Sequence, residues 1–460
     1  MACFFYGFIF ISFEHKIRFM ISRIIVFVFA FFWMNNFAQE IENSKYLNDF
    51  SKKLNENKTV TKVLFLGDSH IQAGWIPNFL RQKFSEKYGN AGRGFVFPYS
   101  VANSNGPMDI TSFSDQAWQT FRLVYEQDFF KQMGALGFVM GNRKKSFIEI
   151  NFNNTEDSFD EVKILNDSIM NNEHFAIYQA DNSLEKFVKK NKNTISYQIQ
   201  KGETWPELAA KFNTTTTKLV LLNGESVKNP QAGKMIKVEQ VEPNLDTSFE
   251  NKIKLIGEGK FNNGETVFDY PSLNNRFLIR TNTAKENIFY GFEFLKKNAT
   301  SGVVFNSIGV NGATFSDFLK YPLQMEQLQK TKPDLVIISL GTNESVSSIT
   351  KEDFQNSVKN LINVLRKGNE NVAILLIAPT DNKMKPKKVK QVVDWIEEAS
   401  DDYKVAFLNQ YKNMGGTGYF QKALFDKKAN ADGIHFLEAG YNDQAEKIWK
   451  AFGNSKIVNK

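Results

Sequence analysis

The chain has a single cysteine, Cys3, among its 460 residues, and it has only four histidines. One cysteine excludes an intramolecular disulfide framework, a thiolate metal cluster and dithiol redox chemistry. Lys and Arg residues number 57 against 50 Asp and Glu residues, and the basic ones are scattered rather than gathered in blocks. The charge pattern therefore predicts mild attraction to anionic polymers and no nucleic-acid partner.

Length and composition are those of a globular protein with several domains. Hydrophobic residues make up 42% of the chain and charged residues 23%, which argues against a disordered or coiled-coil protein. At about 150 residues per domain, the length predicts roughly three domains.

The N-terminus contains two apolar runs, Ala2 to Phe13 and Ile24 to Met34. If translation starts at Met20, Arg23 supplies a positive charge, the second run is too short to span a bilayer, and Phe37-Ala38-Gln39 offers a small-residue cleavage site. We therefore predict that translation starts at Met20 and that residues 1–38 are a presequence containing a signal peptide, with a membrane hairpin or a retained anchor as the alternative. The mature protein is expected to be exported to the periplasm or the cell surface, without a stable membrane anchor.

Strands and helices alternate at both ends of the remaining chain. Thr61 to Leu66 reads as a strand, and the apolar spacing from Ile71 to Lys87 predicts a helix. The C-terminal third repeats this alternation, with predicted strands at Asp334 to Leu340 and Val372 to Ala378 and predicted helices at Lys351 to Arg366 and Lys388 to Ser400. This order predicts an α/β fold with a parallel sheet.

The middle of the chain has a different pattern, because apolar and polar residues alternate there. Half-buried strands are predicted at Ser146 to Phe152, Phe277 to Arg280 and Asn287 to Leu295. We interpret this region as a β-rich insertion between two halves of one sheet. Within it, the polar stretches Lys189 to Thr194 and Val241 to Asn251 are interpreted as linkers around a compact strand–helix–helix–strand unit, Tyr197 to Val238.

A candidate nucleophile follows the first predicted strand, in Gly67-Asp68-Ser69-His70. The carboxyl ends of strands in an open α/β sheet face the ligand crevice, and a serine there can act as a nucleophile. An ordinary structural turn is the alternative interpretation.

A serine nucleophile needs a base, and elimination among the four histidines favours His435. His15 falls in the presequence, His174 lies in the β-rich insertion and His70 adjoins the serine. Asp432, three residues before His435, can accept a hydrogen bond from Nδ1–H and leave Nε2 free to take the serine proton.

Oxyanion donors are expected at the same sheet edge. Asn343 comes directly after the predicted strand Asp334 to Leu340 and offers an amide NH2 group. The glycines of the segment Asn306 to Thr314 permit close approach of backbone N–H groups, although turn geometry would also explain them.

Four segments resemble the SGNH (GDSL-like) hydrolase superfamily in their order along the chain. They contain Ser69, the glycines of Asn306 to Thr314, Asn343, and the pair Asp432 and His435. The resemblance implies a three-layer α/β/α fold, Ser69 as nucleophile, Asp432 and His435 as the rest of a triad, and no cofactor or metal. It also implies an oxyanion hole built from Ser69, Gly312 and Asn343, with Gly309 as the alternative glycine. The motif reads GDSH rather than GDSL, and the resemblance leaves open whether His70 is close to the substrate or structural.

The segment Tyr197 to Val238 resembles a LysM module, a unit that binds glycans containing N-acetylglucosamine, such as peptidoglycan and chitin. The resemblance implies a glycan partner and these binding residues: Gly202, Glu203, Thr204, Trp205 and Asn223. A packing unit without a ligand is the alternative.

The β-rich insertion is similar to the jelly-roll-like insertion of bacterial peptidoglycan O-acetylesterases. The expected layout is a hydrolase domain (56–104 and 301–455), a β-rich insertion (105–195 and 240–300) and a LysM module (196–239). The resemblance implies an exported serine esterase that removes O-acetyl groups from peptidoglycan. The alternatives are an O-acetyltransferase, an acetylxylan-type carbohydrate esterase and a non-catalytic wall-binding protein.

Overall fold

The computed structural model describes residues 39–125, 130–200, 203–212, 214–224, 230–282 and 286–459. The predicted presequence, residues 1–38, lies outside them. Residues from Ile41 onwards form one unit. In the described part of the chain, no helix has the length and apolar character needed to cross a membrane.

Strands account for most of the central region and recur at both ends. In chain order they are β1 (Thr61–Gly67), β2 (Asn90–Gly92), β3 (Gly94–Val96), β4 (Ile110–Ser114), β5 (Gln119–Arg122), β6 (Phe138–Asn142), β7 (Ser146–Phe152), β8 (Phe159–Asn166), β9 (His174–Ala180), β10 (Val188–Gln198), β11 (Met235–Leu245), β12 (Ile253–Lys260), β13 (Glu265–Asn274), β14 (Arg276–Thr281), β15 (Asn287–Leu295), β16 (Val303–Gly309), β17 (Leu335–Ser339), β18 (Ala373–Ile377) and β19 (Ala406–Leu408).

Helices concentrate at the two ends of the chain. In chain order they are α1 (Asn48–Glu56), α2 (Ser69–Gln72), α3 (Trp75–Tyr88), α4 (Trp205–Lys211), α5 (Thr216–Leu222), α6 (Pro322–Lys330), α7 (Thr342–Val346), α8 (Lys351–Gly368), α9 (Pro386–Asp402), α10 (Gln410–Met414), α11 (Tyr419–Phe425) and α12 (Glu438–Asn454). Short 3-10 turns occupy Ser44–Leu47, Thr155–Asp157, Ser168–Met170, Leu184–Phe187, Thr247–Lys252 and Asp317–Leu319.

The α/β core is a six-stranded sheet in the order β19-β18-β17-β1-β16-β2. β1 pairs in parallel with both β16 and β17, which places it centrally. Successive side chains of a strand point to opposite faces, so Val63 and Phe65 pack with α1, α3 and α12, whereas Leu64 and Leu66 pack with α8 and α9. These two apolar layers confirm the predicted three-layer α/β/α arrangement.

The β-rich region consists of two antiparallel sheets. One has the order β12-β9-β14-β7-β4; the other has the order β13-β8-β15-β6-β5, with β3 also paired to β15. Rings from the two sheets meet edge to face, for example Phe152 and Phe294 with centroids 4.9 Å apart, and aromatic pairs favour this geometry. A strand-rich region is thus confirmed. β3 lies within the segment predicted to be part of the hydrolase, yet its partner strand belongs to the insertion.

The LysM-like unit stands at the end of a long hairpin, which corrects one prediction. The first stretch interpreted as a linker, Lys189 to Thr194, lies within β10. The second, Val241 to Asn251, begins in β11 and continues into the 3-10 turn Thr247–Lys252. β10 and β11 pair continuously from Val188↔Leu245 to Gln198↔Met235. A two-stranded ribbon need not cover a core along its whole length, so its polar stretches lack the apolar alternation that marks a half-buried strand in a sequence. The unit beyond the ribbon has an apolar core of its own, built from α4, α5 and the strand ends.

A buried cluster of charges joins α3 to the β-rich region. Arg81 on α3 contacts Asp157 and lies 2.9 Å from Asp109, while Arg93 lies 3.1 Å from Asp109. Arg81, Arg93 and Asp157 are almost fully buried. Buried charges of this kind are tolerated only when they are paired, so the cluster fixes the insertion against the hydrolase half of the chain.

Candidate active site

The site begins where β1 ends, and a close approach of two chain segments shapes it. A Cβ atom on Gly67 would lie 2.2 Å from the side chain of Ile71 and 2.9 Å from the carbonyl oxygen of Ser339. Only glycine fits there, so the chain can turn sharply out of the sheet. Ser69 is then the first residue of α2 and is half-buried.

The structure brings together the three residues predicted as a triad. Ser69 Oγ lies 2.8 Å from His435 Nε2, and His435 Nδ1 lies 2.7 Å from Asp432 Oδ2. If Nδ1 carries the proton and donates it to Asp432, Nε2 is free to accept the hydrogen bond from the serine hydroxyl. The arrangement can therefore deprotonate a serine nucleophile.

The local chain fold explains why an aspartate three residues before a histidine reaches it. Asp432 Oδ1 accepts hydrogen bonds from the backbone N–H groups of Ile434 and His435, both at 2.9 Å. Gly433, between Asp432 and Ile434, takes a positive φ of 86°, which lets the chain fold back in this way. Partial burial alone would raise the pKa of Asp432, but these N–H groups and the His435 ring outweigh it and hold that pKa below its ordinary value. The carboxylate thus stays ionised beside the histidine.

The predicted oxyanion donors follow three neighbouring strands, since Ser69 comes after β1, Gly312 after β16 and Asn343 after β17. Gly312 is exposed with φ 86°, and an added Cβ would find no neighbour closer than 3.9 Å. The alternative residue, Gly309, has a packing role, because its Cβ would lie 2.0 Å from the backbone nitrogen of Gln72. Geometry therefore favours Gly312 over Gly309 as the residue open to a ligand.

Asn343 is positioned by its own side chain. Its Nδ2 donates one hydrogen bond to the carbonyl oxygen of Ala313 at 2.9 Å, next to Gly312. An amide NH2 group has two protons, so the second remains for an oxyanion. The contact also ties α7 to the loop that carries Gly312.

Asp68 and His70 form a second acid–histidine pair that the sequence interpretation missed. His70 Nδ1 lies 2.9 Å from Asp68 Oδ1, and His70 Nε2 lies 3.3 Å from the carbonyl oxygen of Ile434. Burial would lower the pKa of His70, but the charge and hydrogen bond of Asp68 outweigh it and raise that pKa. His70 is buried, and its contact with the carbonyl oxygen of Ile434 supports the loop that holds His435. The signal available in the sequence was the aspartate two residues before the histidine.

Glu344 is a further residue whose role the sequence did not reveal. It is 1% exposed, and its Oε1 accepts a hydrogen bond from the backbone N–H of Phe315 at 2.8 Å. Burial raises the pKa of Glu344 to about 8, so at neutral pH the carboxyl group is mostly protonated. Through this hydrogen bond, Glu344 holds the backbone of Phe315, three residues beyond Gly312, in place.

The predicted glycan-binding residues of the LysM-like unit have different surroundings in the structure. Gly202 lies outside the described residues. Glu203 accepts hydrogen bonds from Tyr197 Oη at 2.8 Å and from Lys211 Nζ at 2.9 Å, and the amide of Asn223 bonds the backbone of Leu219 and Lys237. These contacts engage both side chains inside the unit. Thr204 and Trp205 line a cavity, and Trp205 also belongs to the apolar core of the unit.

The described residues contain no group of three or more His, Cys, Asp or Glu side chains placed to hold a metal ion.

Comparison with known families identifies two parts of the chain. Residues 291–442 match the GDSL-like lipase/acylhydrolase family, and residues 197–239 match the LysM domain. The first match includes Gly312, Asn343, Asp432 and His435, whereas Ser69 lies far upstream because the β-rich insertion separates it from them. No curated protein sequence matches the chain.

One of the similar solved structures shares the fold over most of this chain. A structure of a peptidoglycan O-acetylesterase in action covers 88% of this chain and 93% of its own, with 17% sequence identity and a TM-score of 0.58. A lipase/acylhydrolase from Enterococcus faecalis covers 33% of this chain and 76% of its own at 24% identity, with a TM-score of 0.28. A carbohydrate esterase family 3 protein from Talaromyces cellulolyticus covers 34% and 74% at 20% identity, with a TM-score of 0.27. By the two family matches, the chain carries a GDSL-like lipase/acylhydrolase domain and a LysM domain.

Proposed function

We propose that this protein is an exported serine esterase that removes O-acetyl groups from peptidoglycan. The observation that carries the proposal is the hydrogen-bonded chain Ser69–His435–Asp432 in a protein that also contains a LysM domain. The first feature supplies the chemistry of acyl transfer, and the second supplies affinity for a glycan. The extended fold likeness to a peptidoglycan O-acetylesterase supports the choice of substrate.

In the first half-reaction, Ser69 Oγ attacks the acetyl carbonyl carbon while His435 Nε2 takes the serine proton. The negative charge that develops on the carbonyl oxygen accepts hydrogen bonds from the N–H groups of Ser69 and Gly312 and from Asn343 Nδ2. Collapse of this intermediate breaks the bond to the sugar oxygen, which leaves with the proton from His435. An acetyl group then remains on Ser69.

In the second half-reaction, a water molecule attacks the acetyl-serine carbonyl and gives its proton to His435. Acetate departs, and Ser69 Oγ recovers the proton. The His435 and Asp432 side chains are 38% and 41% exposed, so both water and a polymeric ester can reach the serine.

Acetate release tests the proposal. Purified protein is incubated with O-acetylated peptidoglycan and, separately, with acetylated xylan, and the Ser69→Ala variant serves as control. We expect release from peptidoglycan that falls by at least about 10³-fold in the variant. Equal release by the two proteins would refute the role of Ser69, and release from xylan alone would refute the substrate assignment. Transfer of the acetyl group to an added oligosaccharide, without free acetate, would identify an acetyltransferase.

A further inference from the structure

A cavity of about 700 Å3 lies between the LysM domain and the rim of the candidate active site. One wall belongs to the LysM domain and includes Thr204 and the threonines at 214–217. The opposite wall includes Asn105, Arg122 and Asn311. Asn311 directly precedes Gly312, so the cavity ends beside the position proposed for the oxyanion.

The wall next to the active site is rigidly connected to the nucleophile. Gln72, on the same short helix as Ser69, accepts a hydrogen bond from the backbone N–H of Asn311 at 2.6 Å and donates one to the carbonyl oxygen of Asn105 at 2.7 Å. Asn311 Nδ2 in turn donates to Asn105 Oδ1 at 2.6 Å. Gln72 is 1% exposed. A ligand on this wall is therefore held in fixed register with Ser69.

Most side chains that line the cavity are polar and uncharged. Hydroxyl and amide side chains predominate, and they suit the hydroxyl and acetamido groups of an N-acetylated sugar. The described lining residues include one cation, Arg122, and no carboxylate. Arg122 donates to Tyr125 Oη at 2.6 Å and lies 4.9 Å from the centre of that ring, which orients the guanidinium without neutralising it. An oriented guanidinium recognises a carboxylate by paired hydrogen bonds.

We propose that this cavity binds a chain of N-acetylated sugars that bears a carboxylate group, and that Arg122 binds the carboxylate. The LysM wall and the active-site wall hold neighbouring sugars of one strand, so that an acetylated sugar reaches Ser69. The inference rests on the proposed function for the identity of the acetylated polymer, but binding in the cavity does not depend on turnover.

Binding in the Ser69→Ala protein separates the two proposals, because this protein cannot turn over the ester. Two soluble probes are titrated into the full chain: a peptidoglycan fragment with free muramoyl carboxylates, and a chitin oligosaccharide of equal length without them. We expect Arg122→Gln to raise the Kd for the peptidoglycan fragment at least tenfold and the Kd for the chitin oligosaccharide less than threefold. Arg143→Gln, which removes an equal charge on an exposed turn outside the cavity, should change neither Kd more than twofold.

A second variant tests the cavity without touching the arginine. Thr216→Trp places a large ring in the space between the walls, and we expect it to weaken binding of both probes at least tenfold while the thermal unfolding midpoint stays within a few degrees. Equal affinities of Arg122→Gln and Arg143→Gln for the peptidoglycan fragment would overturn the proposal, as would undiminished binding in Thr216→Trp. Failure of the wild-type protein to release acetate would overturn the esterase assignment and leave this binding result intact.

Discussion

At the scale of single residues, the candidate site contains two acid–histidine pairs rather than one. Asp432 orients His435 toward Ser69, and Asp68 orients His70 toward the carbonyl oxygen of Ile434. The two imidazole rings lie 5.4 Å apart. The second pair contacts no reacting atom, so we assign His70 a positioning role.

Replacement of His70 tests that role. We expect His70→Ala to lower kcat for a small acetyl ester at least tenfold with little change in KM, because the loop of His435 loses its support. His174→Ala, at an exposed position on β9, is the matched control. A stability loss without change in kcat would show a merely structural residue.

Glu344 leads to a prediction about stability. Its pKa is raised from 4.5 to about 8 in the folded protein, so the unfolded chain loses this proton at lower pH than the folded one. The contribution of Glu344 to the free energy of unfolding is therefore fully present below about pH 4.5, and it declines as the pH rises to 8. Glu344→Gln stays neutral, and we expect its thermal midpoint to fall less between pH 5 and 9 than that of the wild type.

The control for this experiment is Glu370→Gln, at an exposed turn. Burial also raises the pKa of Asp115, to about 6, but this group is present in all three proteins and cancels in the comparison. Parallel pH dependences for wild type and Glu344→Gln would contradict the prediction.

At the scale of elements, buried charges hold the insertion against the hydrolase half of the chain. Asp157, on a 3-10 turn, is fully buried and contacts Arg81 on α3, and its other oxygen lies 3.5 Å from Arg93 Nε. Removing the carboxylate would leave the two buried guanidinium groups sharing the carboxylate of Asp109, with one further hydrogen bond from Arg93 to the amide oxygen of Asn78.

We expect Asp157→Ala to lower the free energy of unfolding by about 3–5 kcal/mol, because an uncompensated buried charge is costly. Asp394→Ala, which removes an exposed helical ion pair with Lys390, should cost less than about 1 kcal/mol. Urea denaturation measures both. A loss for Asp157→Ala as small as that for Asp394→Ala would mean that water reaches the cluster.

At the scale of the whole molecule, we predict that the LysM domain can be removed without damage to the α/β sheet. It has its own apolar core and connects through the paired strands β10 and β11. Replacing residues 199–234 with an Asn-Gly turn closes the ribbon between Gln198 and Met235.

This deletion should separate binding from chemistry. We expect hydrolysis of a small acetyl ester to stay within about twofold of wild type, because Ser69, His435 and Asp432 lie outside the removed segment. Acetate release from insoluble peptidoglycan should fall at least tenfold, since the polymer loses a tethering site. Equal losses on both substrates would indicate instead that the deletion damages the catalytic domain.

The sequence predicted the core elements closely because their signals are local. Lys351–Gly368 and Pro386–Asp402 begin and end within two residues of the predicted helices, and Ser146–Phe152 and Asn287–Leu295 coincide with predicted strands. Two predictions differed from the structure. The helix from Ile71 to Lys87 is split near Gly74, which takes a φ of 86°. The ribbon was interpreted as linkers because its polar stretches lack the apolar alternation by which a half-buried strand is recognised in a sequence.

For the candidate site, local sequence patterns were enough to predict the three residues that the structure brings together. Scarcity of histidine selected His435, the Asp–x–x–His spacing supplied its partner, and strand ends located Ser69 and Asn343. Tertiary structure alone decided the contacts between segments distant along the chain: the support of Ile434 by His70, the burial that protonates Glu344, and the cavity that joins the LysM domain to Asn311. The physical reason is that spacing along a chain fixes which side chains share an element, whereas burial and charge interactions depend on which elements pack together.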